Sequence, residues 1–232
     1  MGETATIQAN VQAERREHFW GSYARFAKWV FRTFTRRYTT DIRQPAEPVV
    51  YVCRHLNMHG PYTTLKCLPF DVHPMVIHVF FDREKTVEHM TNFTLSARYG
   101  RKAKKFSLLA HIMSWIDPPL MRSMQGVPVY REGTQSIGTL KRGLNCLLQG
   151  ESLVIYPDVH YTAGYDQPSE IYEGFLCMGE LYYKKTGRLL QFVPLRIDDQ
   201  SRRLCAGTPV TLRNFRSEGQ EAAQKLKQAI NR

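Results

Sequence analysis

The sequence predicts an α/β fold: a single domain with a mostly parallel central sheet flanked by helices, preceded by an N-terminal amphipathic helix. Three observations carry that expectation. Short, continuous, β-branched runs such as Val49-Val50-Tyr51-Val52-Cys53 have the composition of strands buried on both faces. Segments with apolar residues every three or four positions lie between them, and strands alternating with helices build a right-handed parallel sheet. The 232 residues, 43% hydrophobic and 23% charged, suit one sizeable core and are too apolar for a disordered chain.

Along the chain, residues 12–38 carry Phe19, Trp20, Tyr23, Phe26, Ala27, Val30, Phe31 and Phe34 at helical spacing. Arg15, Arg16, Arg25, Lys28, Arg32, Arg36 and Arg37 surround that stripe. Large rings on one face and basic residues on the other describe a helix lying in a membrane interface. A helix packed on the core with a solvated basic face has the same pattern, and both readings stand for different parts of the stripe. Pro45 and Pro48 then stop any helix, which divides the chain into a membrane-facing helix and linker over 1–44 and an α/β domain over 45–232.

Within that domain, residues 49–53 read as a strand, 54–61 as a polar turn, and the following stretch to 68 as a helix. Residues 75–81 are a second buried strand, 91–116 are mixed, and 127–130 are a short strand. Ile137, Leu140, Leu144 and Leu147 share one face of a helix over 136–149, and 153–156 are a strand. A helix over 175–186 ends at Gly187, which reads as its C-cap. Pro194 interrupts a strand over 190–197, 210–212 read as an edge strand, and 218–230 form the last helix.

Lysine and arginine number 32 against 21 acids, a formal charge of +11, which favours an anionic partner. Nucleic acid is set aside, because the chain has no aromatic RNP-type strand, zinc module or recognition-helix pattern. The five cysteines are odd in number, unpaired in any C-x-x-C motif and set among apolar residues, as in a reduced cytosolic protein. The N-terminus has no secretory h-region, and Gly2 with Thr6 fits a myristoylation pattern that means nothing in a prokaryotic chain. No apolar run approaches the roughly 20 residues of a spanning helix. The expected location is therefore cytoplasmic, peripheral on the inner face of the membrane. No metal is expected, since His55 and His59 lack a third ligand at helical spacing.

Four segments fall where strands end, and ligand sites of open α/β sheets lie beyond the carboxyl ends of strands. They are His55 after Cys53, then Gly126-Val127-Pro128-Val129-Tyr130-Arg131, then Tyr156-Pro157-Asp158-Val159-His160, and Phe192-Val193-Pro194-Leu195. Read alone, each has a plainer meaning. His55 would be a turn histidine, Arg131 a salt-bridging cap of the sheet, and Asp158 a turn or N-cap residue. His59, His111 and His160 would be structural.

In order and spacing these segments resemble the four blocks of the lysophosphatidic acid and glycerol 3-phosphate acyltransferase family, over most of residues 49–197. Glu173-Gly174-Phe175 and Lys185-Thr186-Gly187 resemble two further family features. The resemblance implies transfer of a fatty acyl group from acyl-CoA or acyl carrier protein to a hydroxyl of a lysophospholipid or similar phosphorylated glycerolipid. It implies membrane-associated phospholipid biosynthesis with no cofactor beyond the thioester co-substrate. His55 would be the general base, suited to neutral pH. Arg131 would hold the acceptor phosphate in its planar fork, with Gly126 in the same block. Pro157 and Asp158 would shape the acceptor and oxyanion region, and Val193 with Pro194 would close the pocket wall. The basic cluster Arg98, Arg101, Lys102, Lys104 and Lys105 would be a solvated face, or would meet headgroups or the acidic donor.

The chain departs from the family pattern at its key point. Gly60 stands where the family has the aspartate that orients the histidine, Asp158 replaces a glutamate and Val159 a glycine. Three readings follow. Asp71, Asp82, Asp158 or a backbone carbonyl orients His55; or His59 shares the work; or the site binds lipid without turnover. Asn57, His59 and Asp71 are the candidate supporting residues.

Overall fold

Val49–Cys53 (β2) forms the centre of the sheet, with all five residues buried. The computed structural model describes residues 18–94, 107–131, 133–159 and 170–231. Among the described residues the seven strands are β1 (Thr39–Thr40), β2, β3 (His73–Ile77), β4 (Val127–Val129), β5 (Leu153–Ile155), β6 (Gln191–Asp198) and β7 (Arg203–Ala206). They lie in the order β1-β7-β6-β2-β5-β3-β4, and every neighbouring pair is parallel except β6 with β7. The α-helices among the described residues are α1 (Ser22–Phe34), α2 (His59–Cys67), α3 (Arg83–His89), α4 (Ser107–Ser123), α5 (Gln135–Leu148), α6 (Cys177–Thr186) and α7 (Phe215–Ile230).

Strand alternation sends β2 to two cores. Val50 and Val52 pack with Leu144 and Leu147 of α5, Met178 of α6 and Leu226 of α7. Val49, Tyr51 and Cys53 pack on the other face with Leu68, Phe70 and Val72. Each such buried aliphatic side chain contributes about 1.5–3 kcal/mol. A continuous apolar run is what a strand covered on both faces requires.

Several boundaries differ from the sequence expectation for physical reasons. Residues 75–81 leave the sheet after Ile77, and His78–Phe81 form a 3-10 turn. Pro194 does not interrupt β6. It has no N–H to offer, but the chain beside it bulges: Gly207 N–H donates to the Pro194 carbonyl at 2.8 Å, and Phe192 and Val210 exchange both backbone bonds. Residues 210–212 supply only that bridge at Val210, and β7 and β1 close this side of the sheet. Helix α4 contains Pro118 and Pro119, which remove two intrahelical donors, so a helix here runs against propensity. Gly187 ends α6 at φ +70°, as expected.

The N-terminal stripe is buried at its start and exposed further along. Phe19, Trp20 and Ala24 are buried against Met124, whereas Tyr23, Phe26, Trp29 and Phe34 are exposed. Asp71 accepts from the Phe19 and Trp20 N–H groups, both at 2.9 Å, and the Trp20 indole donates to the Val72 carbonyl. Phe19 stacks on His73, whose ring nitrogens meet the Gln125 carbonyl and Glu151 carboxylate at 2.8 Å. Beyond α1, Thr39 and Thr40 pair with Arg203 and Leu204. The division at residue 44 therefore does not separate two units, because residues 18–44 are built into the same sheet and core. Arg15, Arg16, the basic cluster 98–105 and His160 lie outside the described residues.

Candidate functional site

β2, β5, β3 and β4 are neighbours, so the residues leaving their carboxyl ends form a row: His55, Asp158, His78 and Arg131. At one end, the His55 backbone N–H donates to Asp158 Oδ2 at 2.6 Å, and Arg54 Nε lies 3.6 Å from Oδ1. Arg54 and Asp158 are 4% and 2% exposed, so this carboxylate clamps the exit of β2 to that of β5 from inside the protein. The clamp continues through the Asp158–Ile171 bridge, and Tyr172 N–H donates to the Pro157 carbonyl at 2.8 Å.

The His55 ring stands edge-on to Tyr156, with centroids 6.1 Å apart. Its Nδ1 accepts from the Met58 N–H at 3.2 Å. That contact exists because Leu56, Asn57 and Met58 are all left-handed, with φ of 47°, 51° and 76°. Such a conformation costs about 1–2 kcal/mol per residue and is held by its surroundings. Here the Gly60 N–H donates to the His55 carbonyl at 3.0 Å, and the His59 N–H donates to the Leu56 carbonyl. The turn folds so tightly that only glycine fits at 60: a Cβ there would lie 1.8 Å from the Arg54 carbonyl oxygen.

None of the acids proposed to orient the imidazole does so by a side-chain bond to its Nδ1. Asp158 meets His55 through the backbone. Asp71 secures Phe19 and Trp20 at the amino end of β3, and Asp82 accepts from Lys85 N–H as the N-cap of α3. His59 points its Nε2 to Asp199 at 3.0 Å, and the Tyr38 hydroxyl donates to the same carboxylate. Asp199 follows β6, on the opposite side of β2 from β5, so His59 is tied away from the Asp158–Arg131 row. Asn57 contributes the middle residue of the left-handed turn.

At the other end of the row, the Arg131 guanidinium lies 4.6 Å over the Tyr172 ring and donates to its hydroxyl at 3.3 Å. Arg131 is exposed and makes no ion pair among the described residues. His78 stacks on Tyr130 at 4.5 Å. Burial, and then the nearby Arg131 and His78, pushes the His89 imidazole below its usual range. Sequence reading did not single out His78 or His89. The strand-end rule that picked His55 would also have found His78, had the strand been ended at Ile77.

Two expected site residues are placed elsewhere. Gly126 precedes β4, at the opposite end of the strand from Arg131. It is a tight helix-to-strand turn in which a Cβ would lie 3.2 Å from the Met121 carbonyl oxygen. Pro194 lines a groove of about 630 Å³ between β6, the 206–211 segment and Lys225 and Gln228 of α7, so it walls a different space from the His55–Arg131 row.

All five cysteines are free thiols, and burial pushes Cys53 up to about 12, which removes it as a nucleophile at neutral pH. Among the described residues no cluster of three histidine, cysteine or acidic side chains is placed to hold a metal. No helix among them is long and apolar enough to cross a membrane. Comparisons with protein-family models, curated proteins and solved structures find no match to this chain, so the family resemblance rests on the motif residues themselves.

Proposed function

We propose that the chain is an acyltransferase that moves a fatty acyl group from acyl-CoA or acyl carrier protein to a hydroxyl of a phosphorylated glycerolipid. The observation that carries this reading is the row itself. A histidine, a buried carboxylate clamp and an arginine stacked on tyrosine leave the carboxyl ends of β2, β5 and β4 in one sheet. The exits of β2 and β4 are three strand spacings apart, about 14 Å. A long arginine side chain and a glycerol phosphate backbone together cover that span.

In this scheme Arg131 binds the acceptor phosphate and His55 takes the proton of the attacking hydroxyl. The alkoxide oxygen adds to the thioester carbonyl, the C–S bond breaks, and the departing thiolate recovers the proton from His55. The thioester brings its own leaving group, so no cofactor is required. Neutral His55 accepts at Nδ1, which puts its proton on Nε2. Whether it takes the new proton at Nδ1 or first moves its own, the Met58 contact has to open.

That same Met58 contact favours a second reading, in which the site binds phosphorylated lipid without turnover. Transfer from labelled acyl-CoA and acyl carrier protein to lysophospholipids and glycerol 3-phosphate separates the two. Turnover lost in His55→Ala and weakened in Arg131→Ala supports the enzyme. Absence of turnover with lipid binding that depends on Arg131 supports the binding protein.

A further inference from the structure

Among the described residues, most of the large apolar side chains left exposed lie on two helices that pack against each other. Tyr23, Phe26, Trp29 and Phe34 belong to α1, and Leu108, Leu109, Ile112, Trp115 and Ile116 to α4. Trp29 is 58% and Trp115 64% exposed. The helices are joined where the Ala24 N–H donates to Ser123 Oγ and the Gly21 N–H to the Ser123 carbonyl. Soluble monomers rarely expose so many large apolar groups on one face without a partner.

The charge of this face selects the partner. Helix α1 contains no acid and exposes Arg25 and Arg32. The single acid of α4, Asp117, is buried, and the loss of water pushes its carboxyl up to about 7. Arg122 is exposed at the end of α4, and the Arg83 guanidinium lies 3.0 Å over the Trp115 ring. Two copies meeting through this face would set arginine against arginine. An anionic lipid surface accepts both the rings and the cations, with tryptophan and arginine at headgroup level.

We infer that α1 and α4 together form one docking face for an anionic bilayer, with Ile112 and Trp115 of α4 inserted beside Phe26 and Trp29 of α1. The inference rests on the reading of a lipid acceptor and extends it from one helix to two.

The test is flotation of the full chain with vesicles of phosphatidylcholine, with and without phosphatidylglycerol. The double variants Phe26→Ser/Trp29→Ser and Ile112→Ser/Trp115→Ser are each compared with wild type after a thermal melt shows an intact fold. Each pair is expected to lower partition into the anionic vesicles by about tenfold or more. Quenching by brominated lipid gives an independent signal: in Trp29→Phe the remaining response comes from Trp115, because Trp20 is buried. Unchanged flotation of the α4 pair overturns the inference. So does a concentration-dependent dimer that the α4 pair disperses. Transfer to water-soluble glycerol 3-phosphate, measured without vesicles, reports on the acyl-transfer reading alone.

Discussion

Gly60 and Arg54 approach so closely that the backbone itself excludes a side chain: a Cβ on residue 60 would stand 1.8 Å from the Arg54 carbonyl oxygen. The departure from the family pattern is thus a property of the whole turn and not of one position. Gly60→Asp, which restores the family residue on paper, is expected to push the turn apart, at a cost of about 2–3 kcal/mol. The melting temperature should fall by roughly 5–10 °C. A variant that melts like wild type and gains activity would show the turn to be pliable.

The Met58 N–H at His55 Nδ1 fixes a tautomer that can be read directly. Nitrogen-15 correlation spectra of the imidazole at a pH where it is neutral should show the proton on Nε2. A proton on Nδ1 would mean that the ring turns to another acceptor in solution.

Asp158 and Arg131 should separate cleanly into stability and binding. Removing the buried carboxylate leaves the Arg54 guanidinium without it, and Asp158→Ala is expected to cost about 3–5 kcal/mol. Arg131 is exposed, so Arg131→Ala should change the melt by less than about 0.5 kcal/mol. It should raise KM for a phosphorylated acceptor about 100-fold, with Arg131→Lys falling between, since lysine keeps the charge and loses the fork. Chemical denaturation and steady-state kinetics on the same three variants check both halves.

Asp117 gives the fold a pH dependence of known sign. Burial raises its carboxyl from 3.8 to about 7 in the folded chain, so the folded state holds the proton more tightly than the unfolded state. Stability from this group is greatest near pH 4, falls as pH rises towards 7, and is level above that. Asp117→Asn is expected to melt above wild type at pH 8, by the equivalent of roughly 2–4 kcal/mol, and close to it at pH 4. Equal melting at both pH values would place the carboxylate in contact with water.

Much of the architecture was legible because periodicity and burial agree. Val49–Cys53 is apolar throughout because both faces are covered, and Leu140, Leu144 and Leu147 mark the side α5 buries, while Ile137 at its start is exposed. What escaped was set by tertiary partners. Thr39 and Thr40, though β-branched, are too short a run to read as a strand and pair because β7 is there to receive them. Pro118 and Pro119 masked α4, whose helix persists on packing despite the missing donors. In the site, His55, Asp158 and Arg131 were found by their position after strands. The left-handed run 56–58 was not, because nothing in Leu-Asn-Met announces three positive φ angles; the close approach of Gly60 imposes them. Gly126 and Pro194 share sequence blocks with site residues yet face other parts of the molecule, since a block spanning a strand has two ends.

Helix α1 is moored at both ends. Its start is tied by Phe19 and Trp20 to Asp71, and the chain beyond its finish is stitched by Thr39–Thr40 to the rim of the sheet. A helix on a flexible leash lets its domain swivel above whatever it grips. This one cannot: thirteen residues, about 20 Å of rod, are bolted to the frame fore and aft. Any surface that takes hold of Phe26 and Trp29 therefore sets the tilt of all seven strands and the height at which His55 and Arg131 ride above it.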